Sequence, residues 1–483
     1  MSFTAAVSST VYDQLVSSGT QTVSNGGIVS RGTVTGGEQV ISLGGLVKDM
    51  TIDQLGIQHI KTGGIASATT IRSTGRQYVS SGGTASLVTI SHESAILQVY
   101  ASGVALDVLV AAGTYMVYGA AVNTTINGGE QFVSGGNAIA SDTTINSAGN
   151  QSIDDHGMAI DTTINSGGEQ FIISSSNAIN TTINSGGCQH ISTGGVTTTT
   201  TLTGSGARQV IQSGGTAFET TLNDGGRQDI YVGGMAENTI INSNASQFIS
   251  TSGTATLTTL NGGWAFQFIN SGGITNSTTI NNSAGQIISS GGIAYNTTIN
   301  SNGSQLINSG GIASNTTING NFASQTISNG GITSNTTVNN SGHQLIDSGG
   351  LANSTTVSMG TQTINNGGVV RNTTVRAGRQ IINSGAMAED SLIYGDTPLG
   401  GPASLGLQTI QAGGSAYNTT VGDAGLINVN SGGHIAGNLI VLNDGEVVTS
   451  GTVNMNGSLD RIYLRGKANL SSARQGKFEQ CNY

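Results

Sequence analysis

Aliphatic and small polar residues alternate along this chain in short runs that recur at a fixed distance. An aliphatic residue closes an N-T-T-I-N-like run at Ile126, Ile145, Ile164, Ile183, Leu202, Leu222, Ile241, Leu260, Ile280, Ile299, Ile318, Val338 and Val357, with gaps of 19 or 20 residues. A second series keeps the same beat. A glutamine precedes an aliphatic residue by two places at Gln21, Gln39, Gln58 and Gln77, at Gln98 before Tyr100, and again from Gln131 to Gln408. A period this constant predicts one structural unit stacked on copies of itself. Within the unit Gly311–Gly330, β-branched runs around 315–319 and 324–328 are bounded by Gly, Asn and Ser, the punctuation of strands and tight turns. Successive side chains of a strand point to opposite faces. Thr316 and Ile318 therefore share an inward face, as do Gln325 and Ile327, while Thr317, Asn319, Thr326 and Ser328 face out. The residue after each S-G-G or its equivalent (Ile293, Ile312, Ile332, Leu351) supplies a third inward column in this reading. The expected fold is all-β: a right-handed single-stranded parallel β-helix, or solenoid, with about 19 residues per coil.

The glutamines are the unusual part of such an interior. A buried amide without partners costs several kcal/mol, but amides stacked about 4.8 Å apart in successive coils can donate to one neighbour and accept from the other. Gln131, Gln151, Gln170, Gln189, Gln209, Gln228, Gln247, Gln267, Gln286, Gln305, Gln325 and Gln344 are accordingly read as a structural ladder rather than a binding motif.

The repeat also sets the organisation. Residues 1–20 lack a full coil and read as an N-terminal cap, and 21–441 as the β-helix. Coils 91–118 are degenerate, with Tyr115-Met116-Val117 where a glutamine is due. Residues 386–407 hold both prolines, Pro398 and Pro402, and stretch the spacing between Ile393 and Val421 to 28, so a loop insertion is expected there. Residues 442–483 read as a C-terminal cap and a charged tail containing Arg461, Arg465, Lys467, Arg474 and Lys477.

Composition narrows the function. Gly is 75 of 483 residues and Pro only 2, which fits regular tight turns and neither a collagen period nor a proline-rich linker. Charged residues are 8% and the formal charge is −10, so a nucleic-acid partner, which calls for a basic stripe, is disfavoured. No apolar run of membrane-spanning length occurs, so no direct membrane insertion is expected, and neither a signal peptide nor an anchor is visible. Cys188 and Cys481 do not make a disulfide framework. No catalytic, cofactor-binding or metal-binding set is expected: Asp154-Asp155-His156, the only local acid–His cluster, reads as a solvated turn, and the remaining acids do not converge. Outward Thr and Asn columns point instead to self-association through polar ladders. Ice binding fits less well, because the outward residues vary (Thr317 with Asn319, Thr374 with Arg376).

The units N-T-T-I-N-S-G-G-x-Q-x-I-x-S-G-G, at Asn180–Gly195 and Asn296–Gly311, resemble the AIDA-type repeat of self-associating autotransporter adhesins across about residues 21–441. The resemblance implies a passenger at the surface of, or secreted by, a Gram-negative bacterium. Its implied activities are homotypic association, aggregation and biofilm formation, with a host or surface glycan or protein as receptor. It also implies a glycosyltransferase as partner, because some members carry heptose on Ser or Thr. Ser309, Ser348 and Ser431 in the S-G-G corners are the candidate acceptors. A glycosyltransferase-acceptor scaffold or a filament-forming subunit is the alternative function, ahead of a glycan-cleaving β-helix enzyme.

Overall fold

A computed structural model describes residues 4–396, 404–442, 445–449, 462–464 and 469–471. The chain divides into two compact units, Met1–Thr239 and Ile240–Tyr483. Both are all-β parallel solenoids built from one kind of coil. A short strand carries the glutamine, as in Arg208–Ile211 or Ser304–Ile307. After a tight turn comes a longer strand, as in Val196–Thr203 or Ile332–Asn339. Like stacks on like: Ser304, Gln305, Leu306 and Ile307 pair with Ser324, Gln325, Thr326 and Ile327 of the next coil. No helix of the described residues is long and apolar enough to cross a membrane.

The long strand is bent by one residue per coil in the left-handed region, for instance Asp142, Asp161 and Asn180 in the first unit and Asn296, Asn315 and Asn335 in the second, with φ between 54° and 58°. Asn and Asp tolerate this conformation better than other non-glycine residues. The bend leaves two successive outward residues, Ser314 and Asn315, before Thr316 turns in. One strand thus covers two sides of the coil.

The interior follows the expected parity in the Gln-x-Ile and Thr-x-Ile segments, where Gln305, Ile307, Thr316 and Ile318 are all buried. The third column is corrected. Ile293, Ile312 and Leu351 are only half-buried and Ile332 is 37% exposed, while Ala294, Ala313, Thr333 and Ala352 are fully buried. The reason is the preceding glycine. A Cβ on Gly311 would lie 2.4 Å from the Ile288 carbonyl oxygen, so Gly311 itself occupies the inward place and alternation puts Ile312 outside.

The degenerate coils keep their strands and change only the ladder. Leu97 stacks on Gln77, and Tyr115 on Leu97. Gln98, assigned above to the glutamine series, is displaced by one residue and faces outward beside Tyr78. The hydrophobic pair Leu97 and Val99 fixes that register, because a one-residue slip would expose both.

The insertion is narrower than the spacing implied. Met387–Tyr394 and Gly406–Ile410 are both strands of the stack. Gln408 pairs with Gln380 across the interruption. An antiparallel bridge between Asp396 and Ser404 closes its neck, tied by Arg376 at 2.8 Å from Asp396. Pro398 and Pro402 lie outside the described residues. Paired strands also occur in both expected cap regions: Thr4–Val7 lies against Thr20–Val23, and Asn469–Ser471 against Glu446–Val448. The charged tail falls outside the described residues, with Arg461, Arg465, Lys467, Arg474 and Lys477 all beyond them.

Replacing Gln305 by Leu removes the acceptor of Gln325 Nε2 and the donor to Gln286 Oε1. This is expected to destabilise the surrounding coils by about 3 kcal/mol, read as a lower urea midpoint and lost hydrogen-exchange protection in strands 285–288 and 324–327. Tyr115→Phe should be neutral or stabilising in the same assay, since the buried Tyr115 hydroxyl has no hydrogen-bond partner.

Candidate functional site

The predicted ladder residues lie in the core. Gln131, Gln151, Gln170, Gln189, Gln209 and Gln228 in the first unit, and Gln247, Gln267, Gln286, Gln305, Gln325 and Gln344 in the second, are all buried. Within each unit the amide of one coil donates from Nε2 to Oε1 of the preceding glutamine, at 2.8 Å for Gln151 to Gln131 and 2.6 Å for Gln325 to Gln305. Gln21, Gln39, Gln58 and Gln77 form an earlier run of the same kind. A second partner comes from the threonine that shares the core, as Thr316 Oγ1 donates to Gln305 Oε1 at 3.4 Å. Ligands cannot reach these groups.

The outward side of the long strand is the accessible part. Here Thr298, Thr317, Thr337, Thr356 and Thr374 stand in register in successive coils. On one side of them run the left-handed corner residues, bonded coil to coil: Asn315 donates to Asn296 at 3.2 Å and Asn335 to Asn315 at 3.3 Å. A further asparagine ladder follows the Thr-x-Ile segment, with Asn300 donating to Asn281 at 2.7 Å. In the first unit, Asn146, Asn165 and Asn184 repeat it at 2.7–2.8 Å. A shallow groove of about 280 Å³ lies between the corner and threonine columns, lined by Asn335, Ser354, Asn372, Thr337, Thr356 and Thr374 among others. Such a surface offers uncharged donors and acceptors held at fixed spacing.

The candidate acceptors Ser309, Ser348 and Ser431 are exposed in turns, each followed by a glycine of positive φ. They belong to different coils of the second unit and do not converge. Asp155 and His156 occupy a solvated turn, with side chains about 70% exposed.

One polar cluster escaped the sequence reading. The Asp229 carboxylate is fully buried on the outer face of the glutamine sheet, clamped by Arg208 Nε at 2.6 Å and Arg227 Nη2 at 2.7 Å. Its signal is visible only when the chain is folded modulo the coil length: Arg sits before the glutamine in two successive coils and Asp after the second. Nearby, Cys188 Sγ lies 3.2 Å from His190 Nε2, and Phe171 stacks on the His190 ring at 4.8 Å. Burial pushes the Cys188 thiol up to about 11 and the His190 imidazole below its ordinary range. The thiol is therefore protonated at neutral pH, the opposite of an activated nucleophile. Among the described residues, no group of three or more His, Cys, Asp or Glu could hold a metal ion.

Comparison with known proteins gives the cluster and the columns a context. Residues 209–263 match the family model described as "Adhesin of bacterial autotransporter system, probable stalk". A crystal structure of a hyper-glycosylated fragment of TibA, residues 55–350, whose glycosylation is TibC-catalysed, is 31% identical to this chain. That match covers 64% of this chain and 99% of the fragment, with a TM-score of 0.49. At that score the superposition adds nothing, and the likeness lies in the sequence. The A-module of the mannuronan C-5 epimerase AlgE4 from Azotobacter vinelandii is 12% identical over 92% of this chain and 91% of that one, and its TM-score of 0.10 carries no weight. The same holds for PfbA, a surface adhesin of Streptococcus pneumoniae, 7% identical over 88% and 81% with a TM-score of 0.10. No curated protein matches the chain.

Cys188 should react slowly. In a Cys481→Ser variant, alkylation by iodoacetamide at pH 8 is expected to run roughly a hundredfold below an exposed thiol and to climb steadily toward pH 11. A rate matching free cysteine would contradict the burial seen here.

With agreement to the adhesin family model and 31% identity across nearly all of the TibA fragment, the chain belongs to the AIDA family of bacterial autotransporter adhesin passengers.

Proposed function

We propose that this passenger promotes cell–cell adhesion by associating with copies of itself through the threonine side of the long strand. The observation that carries the reading is the in-register outward column Thr298, Thr317, Thr337, Thr356 and Thr374, flanked by asparagine ladders. A second molecule carries the same spacing, so one ladder can hydrogen-bond to another over many coils. The individual bonds are weak, near 1 kcal/mol each, and repetition supplies the strength. Low charge removes the repulsion that a like-charged surface would bring to homotypic contact. Membership in an autotransporter adhesin family supports a place at the cell surface or outside a Gram-negative cell. Fold and family also suggest a structural rather than an enzymatic role.

A second reading has its own observation. The TibA fragment is hyper-glycosylated by TibC. Ser309, Ser348 and Ser431 are exposed in turns where a transferase can approach, so an acceptor scaffold for glycosylation is proposed alongside, and a filament-forming subunit remains an extension of the first reading.

Sedimentation of the purified chain at rising concentration tests the association. A growing share of dimer and larger species is expected, and Thr337→Lys with Thr356→Lys should shift the equilibrium toward monomer by at least tenfold, since lysines in adjacent coils repel one another and their counterparts. A strictly monomeric wild type, or a double variant indistinguishable from it, would sink the reading. Intact mass of protein from the native host tests glycosylation, and an unmodified mass removes it.

A further inference from the structure

The turn leading into most glutamine strands holds a left-handed residue three places before the glutamine. In the second unit these are Asn244, Trp264, Ser283, Asn302, Phe322, Ser341, Met359 and Ala377, with φ from 50° to 68°. Small or amide side chains suit that conformation, whereas a bulky aromatic residue there is strained. Yet Trp264 and Phe322 occupy it with 73% and 82% of their surface exposed, so they are not held there by core packing. Strain without a folding reason directs attention to what the side chain touches outside the protein.

Phe322 forms one wall of an open groove of about 610 Å³, the rest lined by Asn321, Ser324, Ser341 and His343. That is within the size range of small-ligand sites. Its lining combines one aromatic face with amide, hydroxyl and imidazole groups and no formal charge. Burial lowers the His343 pKa, which keeps the ring neutral at pH 7. His343 Nε2 lies 3.0 Å from Thr363 Oγ1. Among the described residues, His343 Nδ1 and the side chains of Asn321, Ser324 and Ser341 make no hydrogen bond within the protein. Trp264 lies on the same edge three coils earlier, about 14 Å away at the usual strand spacing, and packs edge-on against Phe266 at 6.3 Å.

We propose that this edge of the second unit binds a neutral oligosaccharide, whose C–H face stacks on Phe322 while its hydroxyls meet Asn321, Ser324, Ser341 and His343. A charged ligand would find no counter-charge in the groove, and a purely apolar one would strand four polar groups. A sugar presents both an apolar face and uncharged hydroxyls, and an extended chain of them can reach Trp264. The site lies on the glutamine-sheet edge and does not depend on association through the threonine side.

Saturation-transfer NMR on the full chain tests it, with cellohexaose, maltohexaose and chitohexaose as probes. At least one is expected to receive saturation at its ring C–H protons, and Phe322→Asn should weaken its binding by about tenfold. That variant should melt no lower than wild type, because Asn suits the left-handed turn. Leu55→Asn, at the equivalent turn of the first unit, should leave binding unchanged. The sole tryptophan reports on the far end: its emission should shift to the blue with the bound probe. Absence of transfer to all three hexasaccharides, or transfer undiminished in Phe322→Asn, overturns the proposal. So does a Phe322→Asn variant whose only change is reduced self-association, which would make the aromatic edge a contact between copies.

Discussion

Most coils are held in register by runs of buried glutamine amides stacked along the axis. A carboxamide inside this solenoid finds its short hydrogen bonds along the stacking direction, to the same residue at the same height in the coils before and after, with a core threonine as a longer second partner. One misplaced coil leaves a donor and an acceptor stranded in the core, each costing about 1–3 kcal/mol. The ladder thus makes register a first-order term in stability. It also has a direction, since every Nε2 points to the preceding coil within each unit. Where a run begins, Gln131 Nε2 finds Thr124 Oγ1 of its own coil at 3.4 Å. Where runs end, against Leu97 and Ile427, the Gln77 and Gln408 oxygens have no partner.

In-register stacking also explains the poverty of charge. Each outward residue has its own counterpart about 4.8 Å above and below, so a charged column repels itself. Several of the charges present have neutral or opposite partners. Asp161 accepts from Asn180, and Asp107 from Asn123 at 2.5 Å. Where two arginines stack directly, at Arg208 and Arg227, the Asp229 carboxylate is shared between them. In-register stacking thus favours the low charged content of 8%.

What could be read from the sequence was whatever repeats along the axis. The period, the glutamine column and the Thr-x-Ile parity all recur often enough to fix faces by alternation alone. The failures share a cause: local alternation is interrupted by residues whose backbone state the sequence does not declare. Ile312 looks inward until Gly311 is seen to occupy the inward place under the Ile288 carbonyl. Gln98 looks like the next rung until Leu97 and Val99 take the core. The pairing of Asp229 with Arg208 was hidden for another reason, since partners 21 residues apart adjoin only after the chain is wound. The groove beside Phe322 was equally invisible, because nothing in the local sequence marks a turn residue as left-handed.

These two kinds of departure have different meanings. On inward columns a departure must be absorbed by neighbours, as Leu97 and Tyr115 are by forgoing the ladder for apolar contact. On outward columns most substitutions meet only solvent and the same column in adjacent coils, so they drift freely and carry little information. The informative outward departures are those with a local cost that no contact within the protein offsets. Phe322 meets that description, holding a conformation that Asn244 and Asn302 adopt at less expense. In a solenoid whose interior is fixed by register, specificity accumulates on the exterior, and strain at an exposed turn is where its physical trace is found.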